Sequence, residues 1–173
     1  MKNQHRAIIM LGGNVGDTVC VFESTIRTLV LNNINLISAS SIYRTKPWGY
    51  FDQRDFLNQL LVLETNMDLF EFHECCLKTE LLHGKNKVFE NGPRSLDIDI
   101  LFFDSLVIHN QKLTIPHPRM HQRRFNLVPL CELYPDFIHP ILSKKMSDLL
   151  DECMDPDEPS VYIKKQNLTK CIL

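Results

Sequence analysis

The chain has 173 residues, 44% of them hydrophobic and 23% charged, and a formal net charge of −2. These values are those of one soluble globular domain with a single core, and they exclude the low-hydrophobicity balance of a disordered chain. A charge so close to neutral gives no bulk attraction to nucleic acid or to a membrane surface, so anion binding must come from a local cluster. No apolar run approaches the ~20 residues that cross a bilayer, and the N-terminus carries no leader pattern. A cytoplasmic protein with no nucleic-acid or membrane partner, acting as a monomer, is therefore expected. The six cysteines (Cys20, Cys75, Cys76, Cys131, Cys153 and Cys171) are irregularly spaced and form no C-x-x-C, so they read as free thiols and not as a disulfide framework or a zinc site.

Residues 7–11 form a short continuous apolar run that reads as a strand, closed by the turn Gly12-Gly13-Asn14-Val15-Gly16-Asp17. Asp17 is placed to cap a helix in which Val19, Phe22, Ile26, Leu29 and Val30 recur at helical spacing. Residues 34–45 read as one strand, stopped by Lys46-Pro47-Trp48-Gly49, and residues 56–65 as another. Asp68 and Glu71 have the spacing of a capping box. They open a helix to about His83 with Leu69, Phe72, Cys76, Leu77, Glu80 and Leu81 along one side. A basic loop over 84–94 leads into a strand from Leu96 to Phe103. Beyond it come short extended pieces at 106–108 and 113–116 and helices over 127–133 and 146–150. The strand and helix order implies an α+β fold, a ferredoxin-like antiparallel sheet (split βαβ) with flanking helices on one face and the other face free for a ligand. Residues 1–153 are expected to form this domain and 154–173 a peripheral tail.

Within Ser95-Leu96-Asp97-Ile98-Asp99-Ile100-Leu101-Phe102-Phe103, two carboxylates interrupt a run that otherwise reads as buried. Side chains alternate along a strand, so Asp97 and Asp99 share a face with Leu101 and Phe103, while Leu96, Ile98, Ile100 and Phe102 share the other. Their Cβ atoms should lie roughly 6 to 7 Å apart, twice the strand rise. Ionised carboxylates so close repel each other and resist dehydration unless cations sit between them, and such hard oxygen ligands suit Mg²⁺ that also touches phosphate. Arg94 at the start of the strand, with Lys85 and Lys87 before it, supports an anionic ligand. The competing reading, two solvated residues on a wet strand face, is weakened by the apolar residues farther along that face.

Taken together, Leu11-Gly12-Gly13-Asn14-Val15-Gly16-Asp17, Tyr43-Arg44-Thr45, Asp55-Phe56-Leu57-Asn58, Gly92-Pro93-Arg94-Ser95-Leu96-Asp97-Ile98-Asp99-Ile100 and Ile115-Pro116-His117-Pro118-Arg119-Met120, leading to Arg123 and Phe125, closely resemble the 6-hydroxymethyl-7,8-dihydropterin pyrophosphokinase family of folate biosynthesis. The resemblance spans about residues 7–150. It implies transfer of pyrophosphate from ATP, the co-substrate, to the pterin hydroxyl. Asp97 and Asp99 would hold two Mg²⁺ ions as cofactor, and Arg94, His117 and Arg123 would join them in catalysis. It implies Phe56 and Phe125 as aromatic plates for the pterin, Asn58 at its polar edge, and Thr45 and Trp48 as wall. For ATP it implies Glu80, Lys85, Lys87, Lys112, Thr114, His117 and Arg123. The loop departs from the best-known relatives, which carry several arginines and an aromatic where Asn86, Glu90 and Asn91 stand here. Lysines at 85 and 87 are point charges without the bidentate grip of arginine, so weaker nucleotide binding or faster product release is expected than in an arginine-rich relative.

Three other readings compete. Ordinary γ-phosphoryl transfer lacks support from a Walker-type Gly-x-x-x-x-Gly-Lys-Ser/Thr or from the protein-kinase motif set. An RNA-binding sheet would need a Lys/Arg-Gly-Phe/Tyr-type stretch that the chain does not have. A degenerate, non-catalytic relative is motivated by the altered loop and opposed by the presence of both aspartates, Arg94, His117 and Arg123.

Overall fold

The structure is a computed structural model that describes residues 4–84 and 92–165. Its main sheet runs in the order β5 (Asp97–Phe103), β1 (His5–Gly13), β4 (Phe56–Thr65), β3 (Ile42–Thr45), β8 (Ser160–Ile163), with β2 (Asn35–Ala39) also beside β4. The central strands are β1 (His5–Gly13) and β4 (Phe56–Thr65), paired antiparallel from His5 opposite Thr65 to Gly13 opposite Leu57. β5 (Asp97–Phe103) lies antiparallel on the other side of β1.

The stretch read as one strand over 34–45 is two, β2 (Asn35–Ala39) and β3 (Ile42–Thr45), both antiparallel to β4. Serine side chains break it. The Ser40 hydroxyl accepts the Leu60 N–H at 2.9 Å in place of a backbone carbonyl, and Glu132 accepts both the N–H and the hydroxyl of Ser41. A buried polar side chain that takes a ladder bond can interrupt pairing without leaving a backbone group unsatisfied.

Helices α1 (Thr18–Leu31) and α2 (Leu69–Leu82) follow β1 and β4. Asp17 caps α1 by accepting the Cys20 N–H, and Asp68 with Glu71 closes the expected capping box on α2. Both helices cover one sheet face, where Ile9, Leu11, Leu63, Ile98 and Ile100 meet Phe22, Ile26, Leu29 and Phe72. The buried side of α2 is Leu69, Phe72, Cys75, Cys76, Thr79 and Glu80, whereas Leu77 and Leu81 of the expected stripe are 43% and 72% exposed.

The second face is not free. Helices α3 (Arg124–Leu133) and α4 (Met146–Asp151), with the short 3-10 helix Met120–Gln122, bury Met120, Leu127, Leu130, Met146 and Leu149 against Ile8, Met10, Leu60, Val62, Leu101 and Phe102. Burying a side chain of this size stabilises by about 1.5–3 kcal/mol. The packing stops short of the end of the sheet that carries Gly12, Asn58 and Asp97. β5 departs from strict alternation: its pairing with β1 slips between Ile8 and Ile9, so Ile9 faces Ile100 and Ile8 faces Phe102, with Leu101 as the extra residue. Phe102 therefore joins Leu101 on the α3 side, and Phe103 turns to the α1–α2 side, the reverse of the expected faces for both phenylalanines.

A two-stranded sheet, β6 (Ile108–His109) with β7 (Thr114–Ile115), follows β5. The C-terminal segment returns to the main sheet and adds β8 (Ser160–Ile163) antiparallel to β3. Among the described residues no helix is long and apolar enough to cross a membrane, and Cys20, Cys75, Cys76, Cys131 and Cys153 are free thiols. Cys171 lies outside the described residues.

Candidate active site

Strand register builds the site. Asp97 of β5 is opposite Gly12 of β1, and Gly12 is opposite Asn58 of β4, so Asp97 and Asn58 flank a residue with no side chain. A Cβ at Gly12 would stand 3.1 Å from the Asn58 side-chain oxygen, so glycine keeps the floor of the cavity open there. Asp99, two residues along, is opposite Met10. Both aspartates thus project from the α3 face at the end that α3 and α4 leave uncovered. Gly13 serves a different purpose: a Cβ there would strike the Ser95 carbonyl, so its absence lets segment 92–96 lie against β1. That segment is secured by Asn14, whose N–H donates to the Arg94 carbonyl at 2.9 Å while its side-chain oxygen accepts the Arg94 N–H at 3.0 Å.

Arg94 so held sends its Nε to 2.9 Å from an Asp97 carboxylate oxygen and lays its guanidinium 4.7 Å over the Phe56 ring. The Asn58 amide donates to the Thr45 hydroxyl at 2.7 Å, which fixes the amide orientation toward the cavity. On the opposite wall, Arg123 at the start of α3 stands 4.3 Å over Trp48 and 5.5 Å from the Phe125 ring, with Arg119 5.7 Å over Trp48. His117 completes the wall, and its backbone N–H is tied to the Leu101 carbonyl at 3.0 Å.

The charges are unevenly solvated. Burial, and after it the neighbouring Asp97 carboxylate, raise the pKa of Asp99, opposed by His117, Arg94 and Arg123. Burial lowers that of His117, with Asp99 pulling the other way, so a neutral imidazole is favoured. Burial and the adjacent Arg119 lower that of Arg123, although Asp99 and Asp155 support its charge. A site that holds two close carboxylates among three guanidinium groups is built for a ligand that brings both signs of charge, such as a metal-bound phosphate.

All the residues expected to be catalytic, Arg94, Asp97, Asp99, His117 and Arg123, line one cavity, and so do Thr45, Trp48, Phe56, Asn58 and Phe125. Of the expected nucleotide set, His117 and Arg123 are among them. Glu80 sits elsewhere, 2% exposed under the sheet edge, where its carboxylate accepts the Ile98 N–H at 2.7 Å. Thr114 is in β7 with its hydroxyl 3.0 Å from His109 Nδ1, and the Lys112 N–H donates to the Asn110 side chain at 2.9 Å. Lys85 and Lys87, with Asn86, Glu90 and Asn91, lie outside the described residues. Met10 and Lys46 also line the cavity without having been singled out. Met10 was detectable as the neighbour of Gly12 on the same strand face; Lys46, next to Thr45, carried no signal beyond ending a strand.

The model of the 7,8-dihydro-6-hydroxymethylpterin-pyrophosphokinase (HPPK) family matches residues 8–135, and the chain belongs to that family. It is 38% identical over 128 residues to the 2-amino-4-hydroxy-6-hydroxymethyldihydropteridine pyrophosphokinase of Bacillus subtilis, an alignment covering 73% of this chain and 77% of that one. It is 33% identical over 147 residues to the folic acid synthesis protein fol1 of Schizosaccharomyces pombe, covering 84% of this chain but only 20% of the yeast protein. In fold it is similar to the Plasmodium falciparum HPPK-DHPS crystal structure with pteroate, with a TM-score of 0.72 at 17% identity over 88% of this chain and 45% of that one. The chain thus spans a fifth of the yeast relative and under half of the Plasmodium chain.

Proposed function

We propose that the protein transfers the pyrophosphoryl group of ATP to the hydroxyl of 6-hydroxymethyl-7,8-dihydropterin, giving AMP and the pterin methyl diphosphate in tetrahydrofolate biosynthesis. The observation that carries this reading is the convergence, in one cavity, of an aspartate pair, three guanidinium groups and an aromatic-amide set suited to a flat heterocycle. Phe56 and Phe125 offer ring faces, and the Asn58 amide presents a donor and an acceptor to the polar edge of the pterin. The strand order and antiparallel pairing support reading the sheet as a ferredoxin-like split βαβ arrangement.

The donor set suits Mg²⁺: the raised pKa of Asp99 beside Asp97 is the response of a carboxylate pair that gains from a hard divalent cation, whose remaining ligands would be phosphate oxygens and water. Asp97 and Asp99 would hold it, and when bound it supplies Lewis-acid charge neutralisation at the phosphate oxygens. The protein's own side chains position and stabilise. The pterin hydroxyl oxygen forms its bond to the β-phosphorus and gives up its proton to solvent as the α,β-bridging oxygen leaves with AMP, and Arg94 and Arg123 meet the charge that gathers on the phosphate oxygens. His117, neutral and anchored through its backbone, can donate a hydrogen bond there without adding charge. Positioning the two substrates is itself a large part of the rate.

Nucleotide products formed from ATP, Mg²⁺ and 6-hydroxymethyl-7,8-dihydropterin test the reading. Pterin-dependent AMP, lost in Asp97→Ala, is expected. ADP would make the protein an ordinary kinase, and the absence of turnover would refute transfer altogether.

A further inference from the structure

Helix α3 begins at a residue that cannot cap it. Its N-cap position is Arg123, which makes no side-chain capping bond and points its guanidinium into the cavity instead. The missing acceptor comes from 31 residues away: the Asp155 carboxylate accepts the Arg124 N–H at 3.0 Å. Its other oxygen accepts the Asp157 N–H at 3.1 Å, and the Asp157 carboxylate in turn accepts the Lys46 N–H at 3.3 Å. The segment 155–157 therefore joins two walls of the site. One end holds the turn of α3 that carries Arg123 and Phe125; the other holds the end of β3, from which Thr45, Lys46 and Trp48 reach the cavity. The pairing of β8 with β3 and the guanidinium of Arg44 4.7 Å over the Tyr162 ring anchor the segment downstream. This clip falls beyond residues 8–135, which match the family model.

We propose that Asp155 is a positioning residue for Arg123 and Phe125, and that with Asp157 it clips the α3 wall of the cavity to the β3 wall. The proposal rests on the reading of this cavity as the ATP and pterin site. A side-chain acceptor at a helix N-terminus fixes the first turn, and a negative charge there also favours the helix dipole. Loss of either lets Arg123 shift, and small displacements of a phosphate-facing group are costly in rate.

The test uses the full chain and its single tryptophan, Trp48, as an optical reporter. ATP binding is followed by Trp48 fluorescence and turnover by AMP formation, for Asp155→Ala, Asp155→Asn and a control, Asp68→Ala, which removes the cap of α2. Asp155→Ala should weaken ATP binding and lower kcat/KM by about tenfold or more. Asp155→Asn, whose amide oxygen can still accept the Arg124 N–H but whose amide nitrogen cannot accept the Asp157 N–H, should recover part of both. Asp68→Ala should lower Tm comparably and leave kcat/KM unchanged. Wild-type affinity and kcat/KM in Asp155→Ala, or equal losses in Asp68→Ala, would overturn the proposal. If Asp155→Ala does not fold, Asp157→Ala decides: a raised KM for the pterin is expected, and an unchanged one refutes the clip. A wild type that binds ATP but forms no AMP would defeat the transfer reading alone, and the ATP titrations would still decide the clip.

Discussion

Asp99 is the residue at which stability and the proposed function pull in opposite directions. Because burial and Asp97 raise its pKa, the folded protein holds a proton on Asp99 more tightly than the unfolded chain does. Its stabilising contribution is therefore complete below the unfolded carboxylate value of 3.8 and is lost as pH rises through the folded value. In chelator-treated protein, Asp99→Asn should gain in Tm relative to wild type as the pH is raised from 4 to 8, and in the presence of Mg²⁺ the same variant should lose AMP formation. A Tm difference that stays flat over that range would contradict the assigned cause. The place of this residue in the cavity beside Asp97 was legible from their two-residue spacing, since strand alternation is a local property. So were Arg94, Asn58 and Phe56, through the ordered motifs. Asp155 was not legible, because nothing near it in sequence hints that a helix 31 residues earlier begins with a residue unable to cap itself.

At the level of elements, the site strand β5 is held from both sides. β1 takes its inner edge, and on the outer edge α2 supplies Glu80, whose carboxylate receives the N–H of Ile98, the residue between the two aspartates. Glu80→Ala should leave that buried N–H without an acceptor and cost about 1–3 kcal/mol in urea unfolding, whereas Glu80→Gln, which keeps an oxygen there, should cost less. Equal losses in the two variants would show that the hydrogen bond is not what Glu80 contributes. The helix itself was legible from its capping box and apolar spacing, but its buried side was set by contact with the sheet. Cys75 and Thr79 are buried and line a cavity with Thr28 and Asn32 at the end of α1, whereas Leu77 and Leu81, equally good on periodicity, face outward. Likewise the break at Ser40-Ser41 depends on Leu60 and Glu132, which no local rule connects to it.

For the whole molecule, the second core closes around a histidine. His139 is 3% exposed, its Nδ1 accepts the N–H groups of Ile141 and Leu142 at 3.2 Å, and its ring meets Phe102 edge-on at 5.5 Å. Burial, with a smaller push from His121, holds its pKa down to about 4, against 6.5 in the unfolded chain. The folded state therefore excludes a proton that the unfolded state accepts. The stability this contributes is full above pH 6.5 and is lost as the pH falls toward 4, by up to about 1.4 kcal/mol per pH unit. His139→Asn, whose side-chain oxygen can replace Nδ1 as acceptor, should flatten that part of the stability profile in urea melts. A slope identical to wild type would assign the acid sensitivity to other groups.

The extra residue at Leu101 also has a consequence for how the chain can be altered. Up to Ile100 the even-numbered residues of β5 look toward α1 and α2; by Phe103 the odd-numbered one does, so the parity of the strand changes at a single position. Counting in twos from the aspartates is sound only as far as that point. Deleting Leu101 would restore one uninterrupted phase and keep Phe102 and Phe103 on the faces they already occupy, but it would take a buried leucine out of the second core and remove the carbonyl that receives the His117 N–H. The cavity-facing and core-forming halves of one strand thus meet at a residue that has no partner on β1 and gives its carbonyl to the segment carrying His117.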